Sequence, residues 1–157
     1  MDAPVSPSVS PSVECQARVA AALSTLFGDA VVSDTGTGVF GVRVGSAWVN
    51  VAVRAGSGGE PVVTTRAWLV GGTDLTPEFL YHLAAERNRP PFGALGLDDR
   101  DAVFVEHSMP GEGISEAQVR SVVKAVADYA DQTDDEIVAR FGGIRMTDKR
   151  PAGAEGA

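Results

Sequence analysis

The stretch from Phe40 to Val53, FGVRVGSAWVNVAV, leaves few folds open to this chain. Phe40, Val42 and Val44 alternate with Gly41 and Arg43. Gly45-Ser46 follows, and Ala47, Val49, Val51 and Val53 resume the alternation. A two-residue turn with Gly first is the signature of a type II′ hairpin, whose twist matches that of the strands it joins. If Val44 pairs with Ala47, then Val42 faces Val49 and Phe40 faces Val51. All the apolar side chains then share one face, and a slip of one residue would turn the whole set toward water. The pattern therefore predicts a hairpin, its register and its buried side. A one-sided sheet of this kind needs a second layer.

Helices at both ends of the chain can supply that layer. Ser12 is placed to cap a first helix, with Glu14 in its first turn, where the helix dipole favours an acid. Val13, Ala17, Ala20, Leu23, Leu26 and Phe27 recur mostly at three or four residues, and Gly28 ends the run. Cys15 belongs near the buried side of this helix as a small, inert hydrophobe, since only Arg18 stands near enough in sequence to activate a thiol. Near the other end, Ser115 with Gln118 has capping-box spacing. Val119, Val122, Val123, Val126, Ala127 and Ala130 form one apolar stripe. Thr133 with Glu136 repeats the box and predicts a second short helix with Ile137, Val138 and Phe141 inside, stopped by Gly142-Gly143.

Between these ends, Val31-Val32 reads as a short strand. A Gly-rich loop from Ala55 to Pro61 leads to a strand over 62–70, with Val63, Thr65, Ala67 and Leu69 inward. Thr76-Pro77-Glu78 starts a middle helix that runs to about Asn88. Residues 92–97 and 102–107 read as two further strands around the turn Asp98-Asp99-Arg100-Asp101. Strand runs joined by short turns predict an antiparallel sheet with helices packed on one face, a two-layer α+β domain. The expected organisation is a disordered Pro/Ser-rich N-terminus over 1–11, one domain over 12–143 and a mobile tail over 144–157.

The face of the sheet that the core does not use carries Arg43, Trp48, Asn50, Arg54, Thr64, Arg66, Trp68 and Val70. A symmetric closure of the Gly-rich loop puts Trp48 opposite Trp68, with Arg43 opposite Trp48. Cross-strand aromatic and cation–π pairs of this kind each stabilise a sheet by about 0.5–1 kcal/mol. Both tryptophans of the chain thus fall on one outward face. Either a client peptide or partner binds there, through Trp48, Trp68, Arg43 and Arg66, or another element or a homodimer mate covers it.

The chain holds no recognisable chemistry. Gly36 to Gly41 matches G-x-G-x-x-G, but a strand follows where phosphate binding needs a helix N-terminus. Asp98, Asp99 and Asp101 lack the Gly and distal Glu of a Ca²⁺ loop. His82, His107 and Cys15 stand apart, a poor metal set. Glu106-His107 is the one adjacent acid–base pair. The net charge of -8 opposes non-specific nucleic-acid and anionic-membrane binding. The single Cys15 fits a reducing, cytoplasmic setting. The sequence thus calls for no catalysis, cofactor, metal, nucleic acid or membrane.

Three short elements carry a family resemblance. Asn88-Arg89-Pro90-Pro91-Phe92-Gly93 resembles the N-R-x-x-P-F-G element of YbjN-like domains from high-GC bacteria, one residue shorter between Arg and Phe. Glu106-His107 with Pro110-Gly111 resembles the strand and turn that follow it. The run from Asp134 and Asp135 through Arg140, Phe141, Gly142 and Gly143 looks like the terminal D-D-x-L-x-x-R-F-G-G signature, with Ile137 where Leu is usual. The resemblance spans roughly residues 13 to 143. It implies a fold similar to CesT-type type III secretion chaperones, which are commonly homodimers that hold extended client segments without ATP. It brings no catalytic residues, and Asn88, Phe92, Gly93 and the terminal motif are expected to be structural. The competing expectation is a regulator or scaffold that acts through its acidic helical surface.

Overall fold

The computed structural model describes residues 11–34, 37–85 and 90–148. Residues 1–10 of the expected N-terminal segment 1–11, Asn88 and the end of the tail from residue 149 lie outside the described residues. Helix α1 (Pro11–Phe27) and a short 3₁₀ turn (Gly28–Ala30) lead into strands β1 (Val31–Asp34), β2 (Val39–Val44), β3 (Ala47–Ala55) and β4 (Pro61–Gly71). Helix α2 (Pro77–Ala84), strands β5 (Ala94–Leu97) and β6 (Val103–Pro110), helix α3 (Glu116–Phe141) and the two-residue strand β7 (Ile144–Arg145) complete the order. All strand pairings are antiparallel, in the order β1-β2-β3-β4-β6-β5, with β7 also on β4.

The central hairpin has the register its sequence demands. Val44 pairs with Ala47, Val42 with Val49 and Phe40 with Val51. Val42 and Val49 are completely buried. On β4, Val63, Thr65, Ala67 and Leu69 point into the core as alternation requires. α1 and α3 cover this face, with Val19, Leu23, Val119, Val123, Val126 and Ile137 inside. Cys15 is buried among them; burial pushes its thiol up, against the pull of Arg18.

Four expectations need correction. The first helix begins at Pro11 rather than after a Ser12 cap; Pro fits a first helical turn, where its missing N–H costs nothing. The end of the chain forms one helix, not two. Ser115 caps α3 with the full capping box: its hydroxyl accepts from the Gln118 amide and its own amide donates to the Gln118 side chain. The helix then runs through Thr133 because Ala130, Asp134 and Ile137 continue the buried stripe. The Thr133 side chain bonds the Tyr129 hydroxyl instead of capping a new start. Asp134 and Asp135 therefore sit in mid-helix, not in a favourable first turn. The third correction concerns Val70, which is buried rather than on the open face. The β4–β6 register shifts between Trp68 and Val70, and such a bulge turns two successive side chains inward. Finally, the segment expected to trail away opens with β7, where Arg145 pairs with Val70 and the Met146 amide donates to the Leu69 carbonyl.

Candidate functional site

The open face is built by alternation from four strands. β3 and β4 pair as Asn50↔Arg66 and Val49↔Ala67, and Trp48 and Trp68, the next residues along, line the same cleft. Arg43 lies opposite Trp48. Trp48 is 38% exposed. Its indole N–H donates to the Asn50 side chain at 2.9 Å, and its ring packs against Gly41, where any Cβ would collide with it. The glycine in the otherwise apolar-rich β2 thus makes room for an aromatic from the neighbouring strand.

Trp68 is held more tightly. Its N–H donates to Asp98 at 3.0 Å. Asp98 also accepts from the amides of Arg100 and Ala102. Burial works to raise the Asp98 carboxyl, but these donors and the Arg100 charge outweigh it and hold the group below the usual carboxylate value. The acidic turn is thus a turn former and an anchor for an indole.

Arg66 organises the middle of the face. Its guanidinium lies 4.1 Å over the Phe104 ring and 5.5 Å from that of Trp68. Its Nε donates to Glu106 at 2.6 Å, and the two form a half-buried ion pair. Among the described residues, the guanidinium stacked on the face aromatics is that of Arg66, while Arg43 stands exposed beside Trp48. Thr64 and Ser108 share a hydrogen bond at 2.9 Å. Arg54 donates to the Thr37 carbonyl at 2.7 Å.

Two clefts open on this surface. One, of about 700 Å³, is lined by Trp48, Trp68, Asp98, Arg100 and Met146 among others. The second, of about 350 Å³, is lined by Ala52, Arg54, Thr64, Arg66 and Glu106. Asn50 and Trp68 line both, so the two clefts adjoin. Three contributors escape the sequence reading. Phe104 is visible only once β6 is known to place Phe104, Glu106 and Ser108 opposite in phase to Val103 and Val105. Glu106 hides because its partner is forty residues away, and Met146 because β7 brings it back over the sheet.

The remaining candidates separate. Glu106 faces the open side, while His107 faces the helices and meets Phe92 edge-on at 5.8 Å, so the adjacent pair does not converge. No group of three or more His, Cys, Asp or Glu is placed to hold a metal among the described residues. No helix among them is long and apolar enough to cross a membrane.

The terminal motif forms its own cluster, away from the groove. Phe141 packs on Phe79 and His82 at 4.9 Å each. Arg140 bonds Glu78 at 3.1 Å and lies over Phe141 at 4.8 Å. Gly142 takes a φ of 76° at the helix end, and its amide donates to the Val138 carbonyl. A side chain at Gly143 would strike Thr73 and Val70. Asp135 pairs with Arg145 at 2.7 Å, which ties α3 to β7. Asp134 is buried, and burial raises its carboxyl.

This arrangement, a meander backed by two helices and closed by a D-D…R-F-G-G knot, agrees with the sequence comparison. The family described as T3SS (YopN, CesT) and YbjN peptide-binding chaperone 1 matches residues 14–149. The chain belongs to this family. Two solved structures share its fold. The Yersinia pestis type III secretion chaperone SycH, solved with a stable fragment of YscM2, superposes with a TM-score of 0.56 at 15% identity, covering 75% of this chain and 98% of that one. The SchA–HopA1 chaperone–effector complex gives a TM-score of 0.61 at 14% identity, covering 82% and 99%. No curated protein sequence matches the chain. As a family member of this fold, the protein has the α+β architecture that its hairpin and capped helices predict.

Proposed function

We propose that this protein is a non-catalytic chaperone that holds an extended segment of a client polypeptide in the groove of its open sheet face. The observation that carries this reading is the recess made by two adjoining clefts between Trp48 and Arg66. Its aromatic walls are already fixed: each indole N–H has an internal acceptor, and the central guanidinium is stacked and paired. Such a preset surface loses little side-chain freedom on binding. Trp and Arg are also the side chains most often found to dominate polypeptide interfaces. Membership in a peptide-binding chaperone family supports the same reading. A homodimer acting in the cytoplasm is part of the proposal, carried over from the family resemblance.

The test uses reduced, carboxymethylated lactalbumin as a permanently unfolded client. Binding should blue-shift the tryptophan emission. Trp48→Ala with Trp68→Ala, checked for an intact fold by circular dichroism and followed through a dye on the client, should weaken binding at least tenfold. Unchanged client affinity in a folded double variant refutes the site. Native mass spectrometry reads the assembly state. A strict dimer whose indoles are closed to aqueous quenchers, and which does not bind the client, would instead assign the groove to self-association.

A further inference from the structure

The last described residues of the chain stand at the wall of the larger open-face cleft. β7 runs antiparallel to β4, from Ile144 opposite Gly71 to Arg145 opposite Val70, and so heads toward Trp68. The Met146 amide makes one more bond to this strand, donating to the Leu69 carbonyl at 2.7 Å. A turn follows, closed by the Asp148 amide on the Arg145 carbonyl. Within it, Met146 and Thr147 line the cleft of Trp48 and Trp68. The sequence continues from that wall as Lys149-Arg150-Pro151-Ala152-Gly153-Ala154-Glu155-Gly156-Ala157.

The charges of the open face are ordered along the sheet. The larger cleft sets Asp98 and Asp99 against Arg100. The adjoining cleft sets Arg54 and Arg66 against Glu106, and there Arg66 and Glu106 already pair with each other. Asp99 and Arg54 are exposed and belong to no ion pair among the described residues. Arg54 donates to a neutral carbonyl, that of Thr37. An acidic end and a basic end are thus left on either side of a centre that satisfies itself. Their spacing follows from the ladder. The Trp68 indole N–H fixes Asp98 at the level of Trp68, and Arg54 lies opposite Val62. From Trp68 to Val62 is six residues of β4, about 20 Å.

The sequence after Asp148 repeats this order and this spacing. Along an extended chain side chains alternate, so Lys149, Pro151, Gly153 and Glu155 share one side and Arg150 takes the other. Lys149 and Glu155 are also six residues apart. Pro151 and Gly153, which separate them on that side, bring no charge to the paired centre. Pro151 also biases Arg150 away from the helical region, toward extended backbone. We propose that residues 149–157 dock back across the open face of their own molecule as an internal ligand of the recess, with Lys149 on Asp99 beside the Trp68 indole and Glu155 on Arg54. A segment tethered at the cleft wall acts at an effective concentration in the millimolar range, which a second copy does not reach in dilute solution. Only the consequence rests on the client reading: a client must displace the segment, and a recess filled about nine-tenths of the time binds its client about tenfold more weakly.

The test uses the full, ¹⁵N-labelled chain with a nitroxide attached at Ala152→Cys, whose side chain has the outward parity. Cys15 is buried, and mass spectrometry confirms that one label is carried. The nitroxide should broaden the Trp68 indole N–H and the amides of Thr64 and Arg66, and dilution should leave that broadening unchanged. Lys149→Glu with Glu155→Lys, added to the labelled chain, should abolish it, whereas Arg150→Ala should not. The chain cut after Asp148 should bind reduced, carboxymethylated lactalbumin about tenfold more tightly than the full chain. Three outcomes overturn the proposal: no broadening on the open face, broadening that Arg150→Ala removes as fully as the charge reversal does, or broadening that appears on unlabelled ¹⁵N copies mixed with the nitroxide-bearing chain, which places the segment on a second molecule. Intramolecular broadening with client affinity unchanged by the cut supports the docked segment and refutes the client reading instead. Client binding that needs Trp48 and Trp68, without any broadening, refutes the docked segment and leaves the client reading intact.

Discussion

The half-buried pair of Arg66 and Glu106 gives a quantitative test of how the open face is held. Arg66 makes two kinds of contact: a charge-assisted bond to Glu106 and stacking over Phe104 and Trp68. The side chains are 33% and 28% exposed, so the ion pair is partly screened and is worth about 0.5–1 kcal/mol. The two ring contacts add about 1–1.5 kcal/mol together. Arg66→Met, which keeps the aliphatic stem, should therefore cost about 2 kcal/mol, and Glu106→Gln, which leaves the stacking in place, about 1 kcal/mol. The double variant should cost about 2.3 kcal/mol, a coupling of about 0.7 kcal/mol. Urea denaturation followed by far-ultraviolet circular dichroism measures all four corners without relying on the tryptophans beside the mutated residues. In 1 M salt the coupling should shrink while the larger cost of Arg66→Met persists, because stacking is less screened than the ion pair. If Glu106→Gln costs as much as Arg66→Met, or if the coupling vanishes at low salt, the stacked arginine does not organise this face.

Two further predictions concern the family motifs. The Asp134 carboxyl is buried and binds its proton more tightly in the folded chain than in the unfolded one, so its contribution to stability is intact below the ordinary carboxylate value and is lost as pH rises through the raised folded value; Asp134→Asn should therefore stabilise the protein at pH 7 in thermal unfolding, with the gain fading toward pH 3, and a neutral or destabilising effect at pH 7 refutes it. Gly93→Ala puts a Cβ into the Glu106 carbonyl at a positive φ and should cost about 2–3 kcal/mol while freeing the amides of β5 to exchange; a loss of under about 0.5 kcal/mol would show that the chain can leave the edge without glycine.

Much of this fold is legible in the sequence because its signals are local. The Gly45-Ser46 turn and the alternation around it fix the register of the hairpin, and Ser115 with Gln118 fixes the start of α3. Where the reading fails, distant contacts decide. Thr133 with Glu136 is a valid cap in isolation, but burial of Ala130, Asp134 and Ile137 against the sheet keeps the helix intact. The bulge after Trp68 that draws Val70 inward depends on β6, and β7 depends on Arg145 reaching Asp135 and β4. The two tryptophans and Arg66 could be placed on one face from alternation alone. That Arg66 rather than Arg43 carries the stacking could not, since Phe104 and Glu106 arrive from a strand whose phase only the assembled sheet reveals.

The position of β4 has a consequence for how the protein is made. β4 is paired with β3, β6 and β7 and lies beneath α3, yet β6, α3 and β7 all follow it in the chain. A ribosome that has finished Gly71 has produced the four-strand meander with only α1 to shield its valines. It must still translate through Glu116–Phe141 before the main cover exists. A protein proposed to shelter the unfinished segments of others therefore passes through a stage of its own synthesis in which Val49, Val51 and Val63 await shelter.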